Sequence, residues 1–332
     1  MKIAIVILNY NGEQLLADFM PSVVAHSQRD DTEIWLVDNC STDDSIGFVK
    51  KTFPTVQILV NESNLGFAKG YNQSLKNIPA DIYCLLNSDV EVTEGWLKPI
   101  IDSFIKNDHT TVIQPKILDY NNKSKFEYAG AAGGFIDRLG YAFCRGRMFN
   151  QLESDKGQYN DSANIFWASG ACFFIRSKIF HQLNGFDEEF FAHYEEIDLC
   201  WRIQNKNLGV LYEGTSEVYH LGGGTLNKQR PKKTYLNFRN SLLTLVKNLP
   251  LQTLLYLIPL RFLLDVLAAI QQLALLKPAH SFAILKANVD FLLLLPRMLK
   301  KKDTLPKRKD YYYTNSIVWK YFLLNAKRFE DL

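Results

Sequence analysis

The stretch Asp81-Ile-Tyr-Cys-Leu-Leu-Asn87-Ser88-Asp89-Val-Glu91 carries an apolar run that ends in a polar tripeptide. The run, residues 82–86, is short, apolar and compatible with a buried β-strand. Open α/β sheets bind ligands in the crevice at the carboxyl ends of their strands, so we expect Asp89 at such a crevice. A carboxylate there could hold a divalent cation against nucleotide phosphates. The simpler interpretation is a strand that ends in a polar turn.

Residues 1–113 alternate strand and helix patterns, which predicts an α/β fold with a mainly parallel sheet flanked by helices. A turn rich in Asn, Asp, Ser or Gly follows each of the first four predicted strands. Each turn alone is ordinary turn chemistry. Because the carboxyl ends of parallel strands meet at one edge, the four together favour a nucleotide site. The turns are Asn9-Tyr10-Asn11-Gly12, Asp38-Asn39-Cys-Ser41, Asn61-Glu-Ser-Asn64-Leu-Gly66 and Asn87-Ser88-Asp89.

The two common glycine-rich phosphate loops are missing after the first predicted strand. Neither G-x-x-x-x-G-K-[ST] nor G-x-G-x-x-G occurs there. A nucleotide diphosphate bound at this edge would therefore need a metal ion to offset its charge. This requirement strengthens the interpretation of Asp89 as a metal ligand.

The stretch Gly185–Arg202 mixes carboxylates and a histidine with large aromatic residues. Asp198 and Arg202 stand four residues apart on a predicted helix, which indicates a structural ion pair. Glu195 and Glu196 begin the same helix, where carboxylates suit the helix dipole. Their aromatic surroundings would also raise a carboxylate pKa and suit a general base. The residues alone leave both interpretations open.

His220 follows an apolar strand pattern and precedes the glycine run 222–224. A histidine in this position can be a metal ligand or a phosphate contact, but a lone histidine is more often structural. Gly170 starts a small-residue turn before another apolar strand. It either lets a ligand approach closely or serves packing.

In this order, these stretches resemble the inverting family 2 glycosyltransferases with the GT-A fold. The resemblance is to the rhamnosyltransferase-like branch of bacterial surface-polysaccharide enzymes and covers roughly residues 3–225. The motifs that carry it are Val6-Ile-Leu-Asn-Tyr-Asn-Gly12, Val37-Asp-Asn-Cys-Ser-Thr-Asp43, Asn64-Leu-Gly-Phe-Ala-Lys-Gly-Tyr-Asn72, Leu85-Leu-Asn-Ser-Asp89, Gly185-Phe-Asp-Glu-Glu-Phe-Phe191, Glu195-Glu-Ile-Asp-Leu-Cys-Trp-Arg202 and His220.

The resemblance implies a nucleotide-diphospho-sugar as donor and a glycan or lipid-linked hydroxyl as acceptor. It implies that Asp38 reaches the nucleobase. Other donor contacts fall on the polar turns: Asn9, Tyr10 and Asn11 beside the base, Asn64, Gly66 and Asn72 along the ribose and diphosphate, and Asn87 and Ser88 at the phosphates.

The resemblance also assigns the metal and the catalytic base. Asn87-Ser88-Asp89 stands where the family has its D-x-D motif, so Asp89 is the expected ligand of Mg²⁺ or Mn²⁺, together with His220. The family base is usually the Asp of a Glu-Asp pair. Here the pair is Glu195 and Glu196, so Glu196 is the base by position, with Glu195 as the other candidate.

The charge distribution divides the chain at residue 228. Residues 228–332 carry 19 Lys and Arg against 6 Asp and Glu, a net +13, whereas the first 227 residues carry −10. We therefore predict a GT-A catalytic domain at 1–228 and a basic, apolar helical tail at 229–332. A basic tail fits nucleic acid or an anionic membrane. Its charges flank apolar helices, which disfavours nucleic acid.

The tail contains two apolar stretches. Residues 253–276 are long enough to span a bilayer, but Arg261 and Asp265 interrupt them. Residues 282–295 are too short to span and end at Pro296. We favour peripheral attachment to the anionic inner face of the cell membrane over spanning or a protein-packed tail.

Composition sets the remaining expectations. Five cysteines without a C-x-x-C pair indicate a reducing compartment, and no signal peptide is recognisable, so we expect a cytoplasmic protein. The predicted activity is inverting sugar transfer in surface polysaccharide assembly. A non-catalytic sugar-nucleotide or glycan-binding protein of the same fold is the alternative. A sugar nucleotidyltransferase is disfavoured, because residues 9–12 are no glycine- and lysine-rich loop.

Overall fold

The computed structural model of the protein describes residues 1–222, 231–302 and 307–332. Its strands are β1 Ile3–Asn9, β2 Thr32–Asp38, β3 Gln57–Val60, β4 Ile82–Asn87, β5 Val90–Val92, β6 Thr110–Asp119, β7 Gly134–Ile136, β8 Ala142–Cys144, β9 Arg147–Met148, β10 Gln151–Leu152, β11 Ser162–Asn164, β12 Cys172–Arg176 and β13 Gly209–His220. Its α-helices are α1 Glu13–His26, α2 Ser45–Thr52, α3 Gly66–Ser74, α4 Leu97–Lys106, α5 Ser177–Gln182, α6 Glu195–Asn205, α7 Pro231–Asn248, α8 Leu251–Ala274, α9 Pro278–Lys300 and α10 Ile317–Phe322.

The N-terminal half of the main sheet is parallel, as predicted. Strands β3, β2, β1 and β4 lie side by side in that order. Helices connect them, as parallel neighbours require. The register aligns Asn9 with Asp38 and Leu8 with Asn87. The polar turns after these strands therefore do meet at one edge of the sheet.

Beyond β4 the sheet is mixed rather than parallel. β12 pairs antiparallel with both β4 and β6, while β13 runs parallel to β6 and antiparallel to β5 and β11. Strand β6 is ten residues long, and its side chains are buried along almost its whole length. The sheet thus carries two long strands that the alternation of the first hundred residues does not reveal.

Two apolar layers cover the main sheet. One face packs against α1 and α4 through side chains such as Leu16, Met20, Trp96 and Phe104. The opposite core includes Tyr71 of α3 and Trp201 of α6. The result is a three-layer arrangement of helices, sheet and helices.

Helix α7 belongs to this second core. Its side chains Leu242, Leu243, Leu245 and Val246 are completely buried in the same cluster. The predicted domain boundary at residue 228 lies outside the described residues, and packing does not break on its C-terminal side. Helix α7 therefore packs as part of the catalytic unit, and Leu254 and Leu257 of α8 belong to the same buried cluster. The boundary at residue 228 stays a prediction.

Helices α8 and α9 pack against each other as a helical hairpin, and residues 275–277 form the short connection. Helix α9 runs through Pro296 to Lys300, so the helix extends past the apolar stretch 282–295. Pro296 interrupts one backbone hydrogen bond, and the flanking apolar turns keep the helix continuous. The C-terminal segment then returns to a small sheet of β7 to β10, where Phe329 packs on Phe135.

Candidate functional site

Asp38 organises the polar edge at the ends of β1 and β2. Its carboxylate is completely buried. Oδ1 accepts hydrogen bonds from Asn9 Nδ2 at 2.9 Å and Ser41 Oγ at 2.6 Å, and Oδ2 accepts from the Ser41 amide at 2.7 Å. Asp38 thus shapes the turn, and a direct nucleobase contact would require one of these bonds to open. The side chain of Tyr10 is exposed at this edge.

Asn11 ties the first turn to the second. Its backbone amide donates to Ser41 Oγ at 2.8 Å, and its side-chain oxygen accepts from the Thr42 amide at 2.7 Å. Asn11 remains exposed. The predicted wall formed by Asn9, Tyr10 and Asn11 is therefore a connected surface with Tyr10 and Asn11 on its solvent side.

The third turn is held by a row of buried amides. Asn61 donates to Asn39 Oδ1 at 2.8 Å, and Asn39 donates to the Gly66 carbonyl at 3.0 Å. Gly66 has φ +72°, a conformation that other residues adopt only with strain. Asn64 caps the same turn by accepting from the Gly66 amide at 3.0 Å. Asn64 and Gly66 thus lie at the open edge beside the start of α3.

Asn72 points away from this row, toward the turn at residues 185–187. Its Nδ2 donates to the Phe186 carbonyl at 2.8 Å, and its Oδ1 accepts from the Phe186 amide at 2.9 Å. Both ends of the amide are bonded to the backbone. Asn72 therefore acts in this structure as a clamp between α3 and that turn, and its expected contact with ribose or diphosphate stays a prediction.

Asp89 and His220 are brought together by strand pairing. β5 pairs antiparallel with the end of β13, and Val90 stands opposite His220. Asp89 Oδ1 consequently lies 3.1 Å from His220 Nε2, and both side chains are buried. The predicted pair of metal ligands is thus a real contact between two distant parts of the sequence.

A second carboxylate, Glu127, lies on the other side of the imidazole. Its Oε2 is 3.5 Å from His220 Nδ1. Burial lowers the pKa of His220, but the bonds to Asp89 and Glu127 outweigh burial and raise it to about 10. Burial raises the pKa of Asp89, and its hydrogen bond with His220 outweighs this and lowers it. Sequence reasoning missed Glu127, because residues 114–166 offer no readable motif.

The Asp89–His220 pair fits two ligands of one divalent cation. An octahedral cation with ligands about 2.1 Å away holds adjacent ligands about 3 Å apart, close to the observed spacing. Among the residues that the structure describes, no group of three or more His, Cys, Asp or Glu could hold a metal. The donor set therefore suits a cation that takes its remaining ligands from water and substrate phosphates, rather than an all-protein cage.

Glu195 and Glu196 begin α6 as a pair of neighbouring carboxylates, of which Glu195 is buried and Glu196 is half-buried. Burial raises the pKa of Glu196 to about 7. Burial, and then the charge of Glu196, raise the pKa of Glu195 well above its ordinary value. One carboxylate oxygen of each residue is buried without a hydrogen-bond partner within the described part of the chain. Each carboxylate therefore keeps one oxygen that can accept a proton, which a general base needs.

Asp198 and Arg202, in contrast, form the predicted structural pair. Arg202 Nε lies 2.8 Å from Asp198 Oδ2, and Arg202 also donates to the Leu183 and Gly185 carbonyls, each at 2.8 Å. Lys247 of α7 donates to the same Asp198 oxygen at 2.8 Å. Asp198 is therefore neutralised from two helices and has no free oxygen for chemistry.

The glutamate pair and the Asp89 edge are connected through the start of β12. The Asn87 amide donates to the Ala171 carbonyl at 2.9 Å. At the preceding residue, a Cβ on Gly170 would lie 4.0 Å from the Glu196 carboxyl carbon. A side chain at position 170 would therefore contact the Glu196 carboxyl, and the glycine keeps that position free of side-chain atoms.

A separate cleft of about 610 Å³ does not belong to this edge. Neither Asp89, Glu196 nor His220 lines it. Its charged lining comes from Asp187, Glu188, Glu189, Arg202, Lys206, Lys247, Arg297 and Lys301.

Comparison with known proteins identifies the family. Residues 4–183, more than half of the chain, match the family model described as glycosyl transferase family 2. The chain belongs to this family. The predicted rhamnosyltransferase-like branch is confirmed as well, since the glycosyltransferase is 24% identical over 234 residues to N-acetylglucosaminyl-diphospho-decaprenol L-rhamnosyltransferase of Mycobacterium tuberculosis. That match covers 65% of this chain and 75% of the relative.

Solved structures confirm the GT-A fold. The glycosyltransferase superposes on mannosyltransferase PcManGT from Pyrobaculum calidifontis, solved with GDP-Man and Mn²⁺, with a TM-score of 0.56 and 13% identity over 88% of this chain and 87% of that one. It superposes on GalNAc-T7, solved with UDP, GalNAc and Mn²⁺, with a TM-score of 0.54 and 17% identity over 66% of this chain and 43% of that one.

Proposed function

We propose that the glycosyltransferase inverts the anomeric carbon as it moves a sugar from a nucleotide-diphospho-sugar to a hydroxyl group in surface polysaccharide assembly. The observation that carries the proposal is the half-buried Glu196 carboxyl. It has a pKa of about 7, one oxygen without a hydrogen-bond partner in the described part of the chain, and a neighbour, Gly170, that has no side chain. A general base works best when its pKa is near the working pH.

In this proposal Glu196 takes the proton of the acceptor hydroxyl. The hydroxyl oxygen forms a bond to C1 of the donor sugar as the bond from C1 to the diphosphate breaks on the opposite face. One positioned base supplies about 10²–10⁴ in rate. Glu195 supports the step through its own charge state, because a neutral Glu195 allows Glu196 to ionise, and two charges in this buried site repel each other.

The leaving diphosphate is proposed to bind at the Asp89 edge. Asp89 and His220 would hold Mn²⁺ or Mg²⁺, and such a cation neutralises the charge that develops on the leaving group. Support comes from the 3.1 Å spacing of the two ligands and from the Mn²⁺ in the two solved relatives. Asn87 and Ser88, half-buried beside Asp89, are proposed as neutral phosphate contacts.

The nucleoside is proposed to lie across the ends of β1 to β3. Tyr10 and Asn11 offer an exposed ring and amide, and Asp38 with Asn9 keeps their turn in place. Asn64 and Gly66 line the adjacent turn. The parallel register that aligns these turns supports this assignment.

A glycan or lipid-linked acceptor is proposed, reached from a membrane surface. The rhamnosyltransferase relative is named for a diphospho-decaprenol acceptor. In this chain, α8 buries the Arg261–Asp265 pair against protein and turns Leu255, Leu263 and Leu267 outward. A water-facing helix has the reverse arrangement. An exposed apolar surface on a helix indicates a contact with lipid or with another protein.

α9 extends this apolar exterior. Phe282, Val289 and Leu293 recur at helical spacing and are exposed. Within the described ranges, α8 alone is long and apolar enough to cross a membrane, and 28% of its most apolar window is buried. We propose in-plane attachment, because Arg261 and Asp265 point into the protein and the tail is basic, which suits the anionic inner face of the cell membrane.

A panel of sugar nucleotides tests the proposed activity. Thermal shift with UDP-, GDP- and dTDP-sugars, with and without Mn²⁺, should reveal one donor class that raises the melting temperature more when the metal is present. Incubation with that donor should then release the nucleoside diphosphate. Binding without release, even with lipid-linked acceptors, would instead indicate a non-catalytic binding protein.

A further inference from the structure

One amide side chain of α7 holds the backbone turn that precedes the glutamate pair. Asn240 is completely buried. Its Nδ2 lies 2.9 Å from the carbonyl oxygens of Phe190 and Ala192 and 2.7 Å from that of His193, so its two N–H groups are shared among three acceptors. Its Oδ1 accepts from Arg239 Nε at 2.9 Å. A single side chain thus gathers three carbonyls from four successive residues.

The turn that Asn240 holds is strained. Phe191 has φ 63° and ψ −55°, and the Ala192 amide bonds to the Phe190 carbonyl at 2.7 Å, which closes a three-residue γ-turn of the rare, strained form. His193 and Tyr194 follow with φ 68° and 75°. Positive φ at a residue with a side chain costs on the order of 1–3 kcal/mol, so such turns persist only where neighbours hold them.

Arg239 reinforces the same turn. Its Nη2 donates to the carbonyls of Glu189 and Phe190 at 3.1 and 3.2 Å. The adjacent residues Arg239 and Asn240 therefore bond to four of the carbonyls of residues 189–193. Helix α6 begins immediately after the turn, at Glu195. Any relaxation of the turn would redirect the first two side chains of α6.

We propose that Asn240 is a positioning residue for Glu195 and Glu196. Its amide fixes the strained turn, and the turn fixes the direction of the first two side chains of α6, including the Glu196 carboxyl beside Gly170. The inference rests on the proposed function, because it assigns Asn240 to the step in which Glu196 accepts a proton. It also makes catalysis depend on α7, which lies beyond the residues 4–183 that match the family model.

Three substitutions and a matched control test this role. Asn240→Asp keeps the shape, removes both N–H donors and places a carboxylate against three carbonyls. Asn240→Ala removes the side chain, and Asn240→Ser is a milder change that keeps one donor. Asn237→Ala is the control: it is half-buried on the same helix and its amide makes no hydrogen bond within the described residues.

Steady-state kinetics should separate positioning from folding. We expect kcat to fall about 100-fold in Asn240→Ala, the scale of a 1 Å misplacement, while donor KM changes less than about twofold. The midpoint of the acidic limb of kcat should also shift, with Asn240→Ser intermediate and Asn237→Ala like the wild type. A loss of active protein with an unchanged pH profile and unchanged kcat per folded molecule would overturn the proposal.

Hydrogen exchange tests the turn independently of turnover. The amides of residues 190–198 should exchange faster in Asn240→Ala and Asn240→Ser than in Asn237→Ala, while the central strands exchange as in the wild type. Unchanged exchange in 190–198 overturns the positioning role. A wild-type protein that transfers no sugar refutes the proposed function, and the exchange result still decides whether Asn240 holds the turn.

Discussion

Asp89 Oδ1 lies 3.1 Å from His220 Nε2 because β5 and the end of β13 pair directly after the turn that carries Asp89. One oxygen and one nitrogen donor are few for a divalent cation, which prefers six ligands in the case of Mg²⁺. The pair should therefore hold a cation weakly in the empty protein and more firmly when a diphosphate supplies further oxygens.

Asp89→Asn should abolish the metal-dependent part of donor binding. The gain in melting temperature that Mn²⁺ adds to the preferred donor should disappear, and kcat/KM should fall by about 100-fold or more. Glu91→Gln is the matched control, since Glu91 stands two residues away and pairs with Lys123. Tight Mn²⁺ binding by the empty wild type would contradict the two-ligand site.

Glu196→Gln should lower kcat by at least about a hundredfold while donor binding survives, because the amide cannot accept a proton. In the wild type, kcat should fall as the pH drops through about 7, where Glu196 becomes protonated. The measurement is a pH series of kcat under donor saturation. A kcat that stays level down to about pH 5 would move the base elsewhere, with Glu195→Gln as the next variant.

The same substitution should stabilise the protein at about pH 8. The folded-state pKa of Glu196 is raised above its ordinary value, so the folded protein binds the proton more tightly than the unfolded chain, and stability is lost as the pH rises from about 4.5 through 7. Removing that charge removes the loss. Melting temperatures at about pH 8 should rise for Glu196→Gln and stay level for the exposed control Glu94→Gln.

Lys247→Met should destabilise the protein by about 3–5 kcal/mol, because it leaves the buried Asp187 and Asp198 short of a cation. Urea unfolding measures the loss. The control is Lys286→Met, which breaks an exposed pair with Asp290 and should leave stability nearly unchanged. A small effect at Lys247 would mean that Arg202 and Lys301 suffice.

The Asp187 carboxylate adds a pH dependence of its own. Burial raises its pKa, but Lys247 and Lys301 outweigh burial and lower it to about 2. Its contribution to stability is therefore present above the ordinary pKa of about 3.8 and is lost as the pH falls toward 2.

Leu263→Asp combined with Leu267→Asp should weaken binding to vesicles that contain anionic lipid by more than tenfold. Each change removes an exposed leucine from the apolar face of α8 and adds a charge of the wrong sign. Ile105→Asp is the control, because Ile105 is equally exposed on α4 of the catalytic unit. Equal sedimentation of all three proteins with vesicles would refute the proposed face.

Local patterns predict the parallel half of the fold and its polar edge, because the strands β1 to β4 follow one another along the chain. Asp89, Glu195 and Glu196 could be predicted as site residues for the same reason, since each stands at a strand end or a helix start. The local sequence pattern is enough to place these residues on their elements, without any tertiary contact.

Residues that act through long-range contacts were not predictable in this way. Glu127 meets His220 only because β6 and β13 are neighbours, and Asn240 meets Ala192 only because α7 packs on α6. Asn72 bonds to Phe186, and its expected contact with the donor stays a prediction. A short amide side chain gives no local sign of which distant backbone it will meet.

The hold of Asn240 on the turn has a consequence for synthesis of the chain. Asn240 follows the carbonyls that it binds by 47–50 residues, so a nascent chain that ends near residue 228 has both glutamates and no means of setting their direction. We expect the reactive arrangement to arise only after α7 has left the ribosome. Until then, we expect an incomplete chain to contain Glu195 and Glu196 but to be inactive, because nothing holds the turn before them.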